Sequence, residues 1–167
     1  MMELLEARER RAARQQAMLD RYKLPLISFS MNIPGPVKRT PLIEFAFDEA
    51  LLLLPQAQAV EQTVLREDTG CEAILCCDIP AETLKSYCQA IEETSPAGRL
   101  YDLDVLTPEG EKLSRGVMRT CLICGGPAFP CARSRAHSLE ELDAAVTRLL
   151  EDFAIEKLSE LGAGAER

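Results

Sequence analysis

The stretch Gly98-Arg99-Leu100-Tyr101-Asp102-Leu103-Asp104-Val105-Leu106 constrains the fold more than any other part of the chain. From Leu100 to Leu106 it is rich in β-formers, and it stops at Thr107-Pro108-Glu109-Gly110, which reads as a turn. Side chains two apart on a strand share a face. Asp102 and Asp104 therefore point one way, while Tyr101, Leu103 and Val105 point the other way, toward a core. Two neighbouring carboxylates repel each other and resist desolvation. A divalent cation between them removes both penalties, and magnesium takes one or two carboxylates together with phosphate oxygens. The strand reads as a metal–phosphate site, set against the plainer alternative of two solvated aspartates on a sheet edge.

A length of 167 residues with 47% hydrophobic content suits one domain, residues 1–167, with a core of its own. The net charge of −8 argues against a nucleic-acid or membrane-surface binder. No apolar run approaches the ~20 residues needed to span a bilayer. The N-terminus is rich in Glu and Arg and has no apolar signal region, so no export signal is expected. Seven cysteines, an odd number, then point to reduced thiols in a cytoplasm.

Residues 3–22 contain no Gly or Pro and read as a helix, with Arg8, Arg10, Arg11 and Arg14 crowding positive charge into an acidic chain. The plain reading is a solvated face; the functional one is an arginine cluster for phosphates or for an acidic partner. A strand over Leu24–Ile33 ends at Asn32-Ile33-Pro34-Gly35-Pro36, a stiff turn, with Lys38 just beyond it. Thr40-Pro41 starts a helix over 41–54 that is apolar nearly all round and so expected to be central. Strands over 59–66 and 73–79 flank a turn at Asp68-Thr69-Gly70, and a helix follows over 80–94. Glu111 to Arg115 reads as the hairpin partner of the aspartate strand. That register sets Arg115 opposite Asp102 and puts Glu111 on the aspartate face. The last helix, 138–160, opens with a Ser138/Glu141 capping box and ends near Gly162.

Residues 119–137 form a cysteine-rich loop in which Cys121, Cys124, Cys131 and His137, the single histidine, are spaced C-x2-C-x6-C-x5-H. Four N/S ligands fill a tetrahedral zinc shell, and the metal would staple a segment with little apolar content. Reduced structural cysteines remain an equal alternative, because the gaps are tighter than in common fingers. Arg133 and Arg135 lie in the same loop.

Taken together, Pro25-Leu26-Ile27-Ser28-Phe29, Asn32 to Lys38, Gly98 to Val105, Pro108 to Glu111, Leu113-Ser114-Arg115 and the Cys121/Cys124/Cys131-Ala132-Arg133/His137 series resemble one family. It is the family of synthases that attach the prosthetic group to the acyl carrier subunit of citrate lyase. The resemblance runs in order from about Arg8 to the final helix. It implies a magnesium-dependent nucleotidyltransferase that joins phosphoribosyl-dephospho-coenzyme A, taken from triphosphoribosyl-dephospho-coenzyme A, to a serine of the apo carrier protein (the gamma subunit), with release of diphosphate. By that likeness Asp102 and Asp104 are the catalytic, magnesium-holding pair. Should the site take a third carboxylate, as the resemblance implies, Glu111 is the first candidate and Asp78 the next. Lys38, Arg99, Arg115, Arg133 and Arg135 are the candidates for the triphosphate, and Arg8, Arg11 and Arg14 for the acidic carrier. The equivalent transferase for the malonate decarboxylase carrier and a non-enzymatic zinc-knuckle adaptor are the alternatives. The expected fold is α+β, one domain with a mixed or antiparallel sheet of about four to six strands flanked by helices and similar to nucleotidyltransferases. The cysteine-rich loop and a helix close the chain.

Overall fold

The computed structural model describes residues 2–116 and 118–164. Four strands form one antiparallel sheet: β1 Leu26–Met31, β2 Ala59–Glu67, β3 Gly70–Cys77 and β4 Tyr101–Leu106, in the order β2-β3-β1-β4. Five α-helices accompany it among the described residues: α1 Met2–Tyr22, α2 Pro41–Leu53, α3 Ala81–Thr94, α4 Ala128–Ser134 and α5 Leu139–Gly164. The α+β class and antiparallel sheet agree with expectation.

Strand alternation sorts the residues into two layers. Ile27, Phe29, Leu75, Tyr101, Leu103 and Val105 face α2, α3 and α5 and form the main core. Phe29 stacks on Phe47 at 4.8 Å and meets the edge of Tyr101 at 5.7 Å. The opposite face carries Leu26, Ile74 and Cys76, which pack under Met18 and Leu19 of α1. That face also carries Ser28, Ser30, Asp102 and Asp104, since Ser28 pairs with Asp104 and Ser30 with Asp102. The arginine-rich helix thus crosses the aspartate face.

Local chemistry fixes the ends. Thr40 caps α2 by accepting from the Ile43 amide at 3.3 Å, with Pro41 in the first turn. Ser138 and Glu141 exchange amide bonds at 2.7 and 3.1 Å, the capping box that opens α5. Gly98 opens the 3₁₀ turn that delivers β4; a Cβ there would collide with the Glu92 carbonyl at the end of α3, so only glycine allows this approach.

Several boundaries differ from the sequence expectations. β1 is shorter than 24–33, because Lys23 takes a left-handed φ of 54° before Pro25 and the Pro34 turn follows. β3 begins at Gly70, which is already paired with Glu67, so the turn is tighter than three residues. α2 buries one face only; Leu52 is 73% exposed. The cysteine-rich segment contains α4, and α5 runs through Gly162 to Gly164.

The largest correction concerns Glu111–Arg115. It forms no second strand; a single bridge joins Lys112 to Leu106, and the Leu113 amide donates to Val105 at 2.9 Å. The Glu111 carbonyl accepts from Thr107, so the loop is one residue longer than the four-residue turn. One residue of slip exchanges the faces of every side chain. Lys112 therefore takes the aspartate face in place of Glu111, and Arg115 does not stand opposite Asp102.

Candidate functional site

β4 is an edge strand whose residues alternate buried and half-buried, and the half-buried ones include the two aspartates. Each aspartate holds a cation. Arg119 donates to Asp102 at 2.7 Å, and Lys112 pairs with Asp104 at 2.7 Å. Arg119 is itself positioned from behind: the same Nη2 donates to the Tyr101 carbonyl at 3.0 Å and to Glu92 at 3.3 Å. Glu92 is a buried carboxylate. It accepts from the Leu103 amide at 2.9 Å and also pairs with Arg115. Burial raises its carboxyl above the ordinary value, while the Leu103 amide and then Arg115 and Arg119 pull it down.

Glu92, Arg119 and Lys112 have no role in the sequence-based expectations. For Glu92 a signal exists: it lies four residues after Cys88 and eight after Leu84, so a charge sits on the buried stripe of α3. Neither Glu111, which is exposed, nor Asp78, which is exposed beyond the end of β3, joins the aspartates in a three-ligand group among the described residues.

A cavity of about 220 Å³ opens beside Asp102, between α1, the start of β3 and the segment after β1. Arg8, Arg11, Lys38, Ser30, Asn32 and Glu72 line it with Asp102. The Lys38 ammonium donates to the Ile33 carbonyl, and its pKa is drawn below the ordinary value by burial and then by nearby Arg8. Arg11 and Arg14 reach Glu72 of β3 at 3.1 and 3.4 Å, which ties α1 to the sheet. The arginine face of α1 thus points largely into the molecule, and Arg8 remains the exposed cation of the trio.

The cysteine-rich segment forms a second centre. The Cys121 amide donates to the Gly126 carbonyl at 2.6 Å, and the Gly125 amide donates back to Cys121. Gly125 has a φ of 69°, which glycine adopts without strain. α4 delivers Cys131, Arg135 ends that helix in the left-handed region, and His137 follows. The ligand atoms of Cys121, Cys124, Cys131 and His137 all lie within 4.8 Å of one another. The Cys124 and Cys131 sulfurs are 3.5 Å apart, close to the ~3.8 Å that Zn–S bonds of about 2.3 Å at a tetrahedral angle would give. The Ile123 amide donates to the Cys121 sulfur at 3.5 Å. His137 Nε2 is buried without a hydrogen-bond partner among the described residues, as an imidazole nitrogen awaiting a ligand would be. The Cys124 thiol is lowered to about 6, chiefly by the neighbouring His137 imidazole, and Cys131 is raised chiefly by its contact with Cys124. The donor set and spacing fit a metal such as zinc. The remaining cysteines, Cys71, Cys76, Cys77 and Cys88, are buried in the cores, and burial raises their thiols.

Arg99 donates through Nε to the Thr120 carbonyl at 2.6 Å, while its Nη1 is buried and unpartnered among the described residues. Arg135 shares a larger cavity with Arg99; Arg133, exposed on the last turn of α4, does not line it. No described helix is long and apolar enough to cross a membrane.

A sequence profile of apo-citrate lyase phosphoribosyl-dephospho-CoA transferases matches residues 1–153. The chain belongs to that family. An apo-citrate lyase phosphoribosyl-dephospho-CoA transferase of Citrobacter koseri is 40% identical over 160 residues, covering 90% of this chain and 87% of the relative. One of the same name from Escherichia coli O139:H28 is 39% identical with the same coverage.

Proposed function

We propose that this family member transfers phosphoribosyl-dephospho-coenzyme A from triphosphoribosyl-dephospho-coenzyme A to a serine of the apo citrate lyase carrier protein. The observation that carries this is the meeting of Asp102 with Arg8, Arg11 and Lys38 around one small polar cavity. Carboxylates to hold a metal and cations to hold phosphates are what phosphoryl transfer needs, since its catalysis is mainly positioning and charge neutralisation.

Asp102 and Asp104 fit magnesium, being adjacent half-buried carboxylates on one face whose present partners are exchangeable side chains. Bound there, magnesium would neutralise charge on the attacked phosphate and the leaving diphosphate. Lys38, Arg8 and Arg11 receive the triphosphate. The carrier serine oxygen bonds to the first phosphorus, the bond to the diphosphate breaks, the serine proton passes to solvent, and a phosphodiester remains. Glu92 and Arg115 position Arg119, which holds Asp102 in place between turnovers. Zinc fits the Cys121/Cys124/Cys131/His137 set and orders the segment that brings Arg135 to the same cavity as Arg99, while Arg133 stays on the surface outside it. The carrier docks over the N-terminal end of α1 beside Arg8, the exposed arginine of that trio; Arg11 and Arg14 are engaged by Glu72. A similarity to nucleotidyltransferase folds, a cytoplasmic location and a single functional domain over 1–167 belong to the same reading.

The test is the mass of the apo carrier protein after incubation with the donor, magnesium and this protein. Wild type should add one prosthetic group. Asp102→Asn should slow the addition at least about 100-fold, because several kcal/mol of charge stabilisation is removed. No addition by wild type on the citrate lyase carrier, with addition on the malonate decarboxylase carrier, would reassign the acceptor. Tight zinc with no addition to either would favour an adaptor.

A further inference from the structure

A second cavity, of about 790 Å³, lies between the segment after β1, Arg99, the cysteine knuckle and the start of α5. Its size falls within the ~300–1,000 Å³ of small-molecule sites, whereas the cavity at Asp102 holds little more than a few phosphate groups. Its walls are mostly apolar, with Leu122, Ala128, Leu139 and Leu142 among them, and two arginines, Arg99 and Arg135, interrupt them. Cys121, Cys131 and His137 form part of the same wall. Asn32 borders both cavities, and its amide is fixed by the Leu100 carbonyl at 2.7 Å, just before the aspartate strand.

We infer that the larger cavity receives the dephospho-coenzyme A body of the donor, with its triphosphate tail passing Asn32 into the cavity at Asp102. The inference rests on the transferase reading above and adds where the donor lies. The body joins an adenosine and a long pantetheine arm through a diphosphate, so it asks for apolar walls with cations between them. Arg99 supplies an unpartnered donor, and an unpaired buried guanidinium nitrogen is costly unless a ligand completes it. Arg135, held at the left-handed end of α4, adds a second charge. The knuckle is then a wall of the substrate site, and a metal on its four ligands shapes the donor pocket rather than merely stapling a loop.

Calorimetry with dephospho-coenzyme A, which lacks the triphosphoribosyl group, tests the larger cavity apart from the chemistry. Wild-type protein and Asp102→Asn should bind it equally. Ala128→Trp, which fills the cavity, should weaken binding at least about tenfold, and Leu139→Glu on the exposed rim should weaken it about threefold or more. The rim variant guards against misfolding, since Leu139 is 61% exposed. Magnesium tripolyphosphate, the probe for the smaller cavity, should bind Ala128→Trp and Leu139→Glu as it binds wild type and should not displace dephospho-coenzyme A. Binding that is absent from wild type, unchanged in both cavity variants, or displaced by tripolyphosphate overturns the assignment. The two readings separate cleanly. Transfer with an unchanged donor KM in both cavity variants removes the cavity assignment and keeps the transferase. Cavity-dependent binding without transfer removes the transferase and keeps the cavity.

Discussion

The sheet and the cysteine knuckle present side chains by opposite means. The sheet holds Asp102 and Asp104 because Tyr101, Leu103 and Val105, on the other face of the same strand, are almost wholly buried among Phe29, Phe47 and α3. The position of its carboxylates is a by-product of apolar packing. Among its described residues the knuckle has no such core: Ile123 and Phe129 are exposed, Cys121 is buried, and Leu122 packs partly against the main core. Its order depends on turn hydrogen bonds and on four ligand atoms converging on one point. Packing fixes a site that must bear charge repulsion, whereas ligand chemistry fixes a wall that needs only shape.

The contrast breaks hardest at Phe29. Its ring stacks on Phe47 and abuts Tyr101, the residue next to Asp102. Phe29→Ala leaves a cavity under the site and should cost about 3–5 kcal/mol in chemical denaturation. Unfolding should stay a single cooperative transition. A loss below about 1 kcal/mol would show that the sheet is not what holds the aspartates.

A smaller effect should follow at Glu92, where packing and charge meet. Glu92→Gln keeps the shape and weakens the bonds to Arg115 and Arg119, but because burial already disfavours the Glu92 charge it should change stability by less than about 1.5 kcal/mol. The pH response distinguishes position from mere stability. Burial raises the Glu92 carboxyl in the folded chain. A carboxyl raised on folding contributes stability below its unfolded value of about 4.3 and loses that contribution as pH rises through the folded value. Acidification through the raised value therefore neutralises Glu92 without this group favouring unfolding. Transfer should slow as Arg119 loses its anchor while near-ultraviolet circular dichroism is unchanged, and the acid limb should flatten in Glu92→Gln. Activity and dichroism falling together would assign Glu92 to stability alone.

What the sequence discloses divides along the same line. Local patterns read correctly: the aspartate strand by its alternation, the Thr40-Pro41 start of α2 and the Ser138/Glu141 box. Each is set by residues within a few positions of one another. What the sequence leaves undisclosed is non-local. That α1 lies across the aspartate face depends on Met18 and Leu19 finding Leu26, Ile74 and Cys76, which no helix periodicity announces. That Lys112 rather than Glu111 faces the aspartates depends on one residue of loop length. The Arg11 and Arg14 charges looked available because Glu72, which takes them, is 58 or more positions away along the chain. The family resemblance supplied the chemistry; it could not supply the path from Glu92 through Arg119 to Asp102.

The finest edge of the comparison is Cys124→Ser. Cys124 is exposed, and removing its thiolate leaves three ligands where four converge. Elemental analysis should find one zinc per wild-type chain and little in the variant. In zinc, part of the wild-type stability is metal binding to the folded state, so the informative comparison is made in chelator. There both proteins lack metal, and their global unfolding should agree within about 0.5 kcal/mol, the range of a surface change. Amide exchange should nevertheless rise across 119–137 when zinc is stripped from wild type, while β1 and β3 stay protected. If β1 and β3 lose protection in step with the knuckle, the two regions form one cooperative unit, and the packing that holds Asp102 extends through Leu122 into the metal centre.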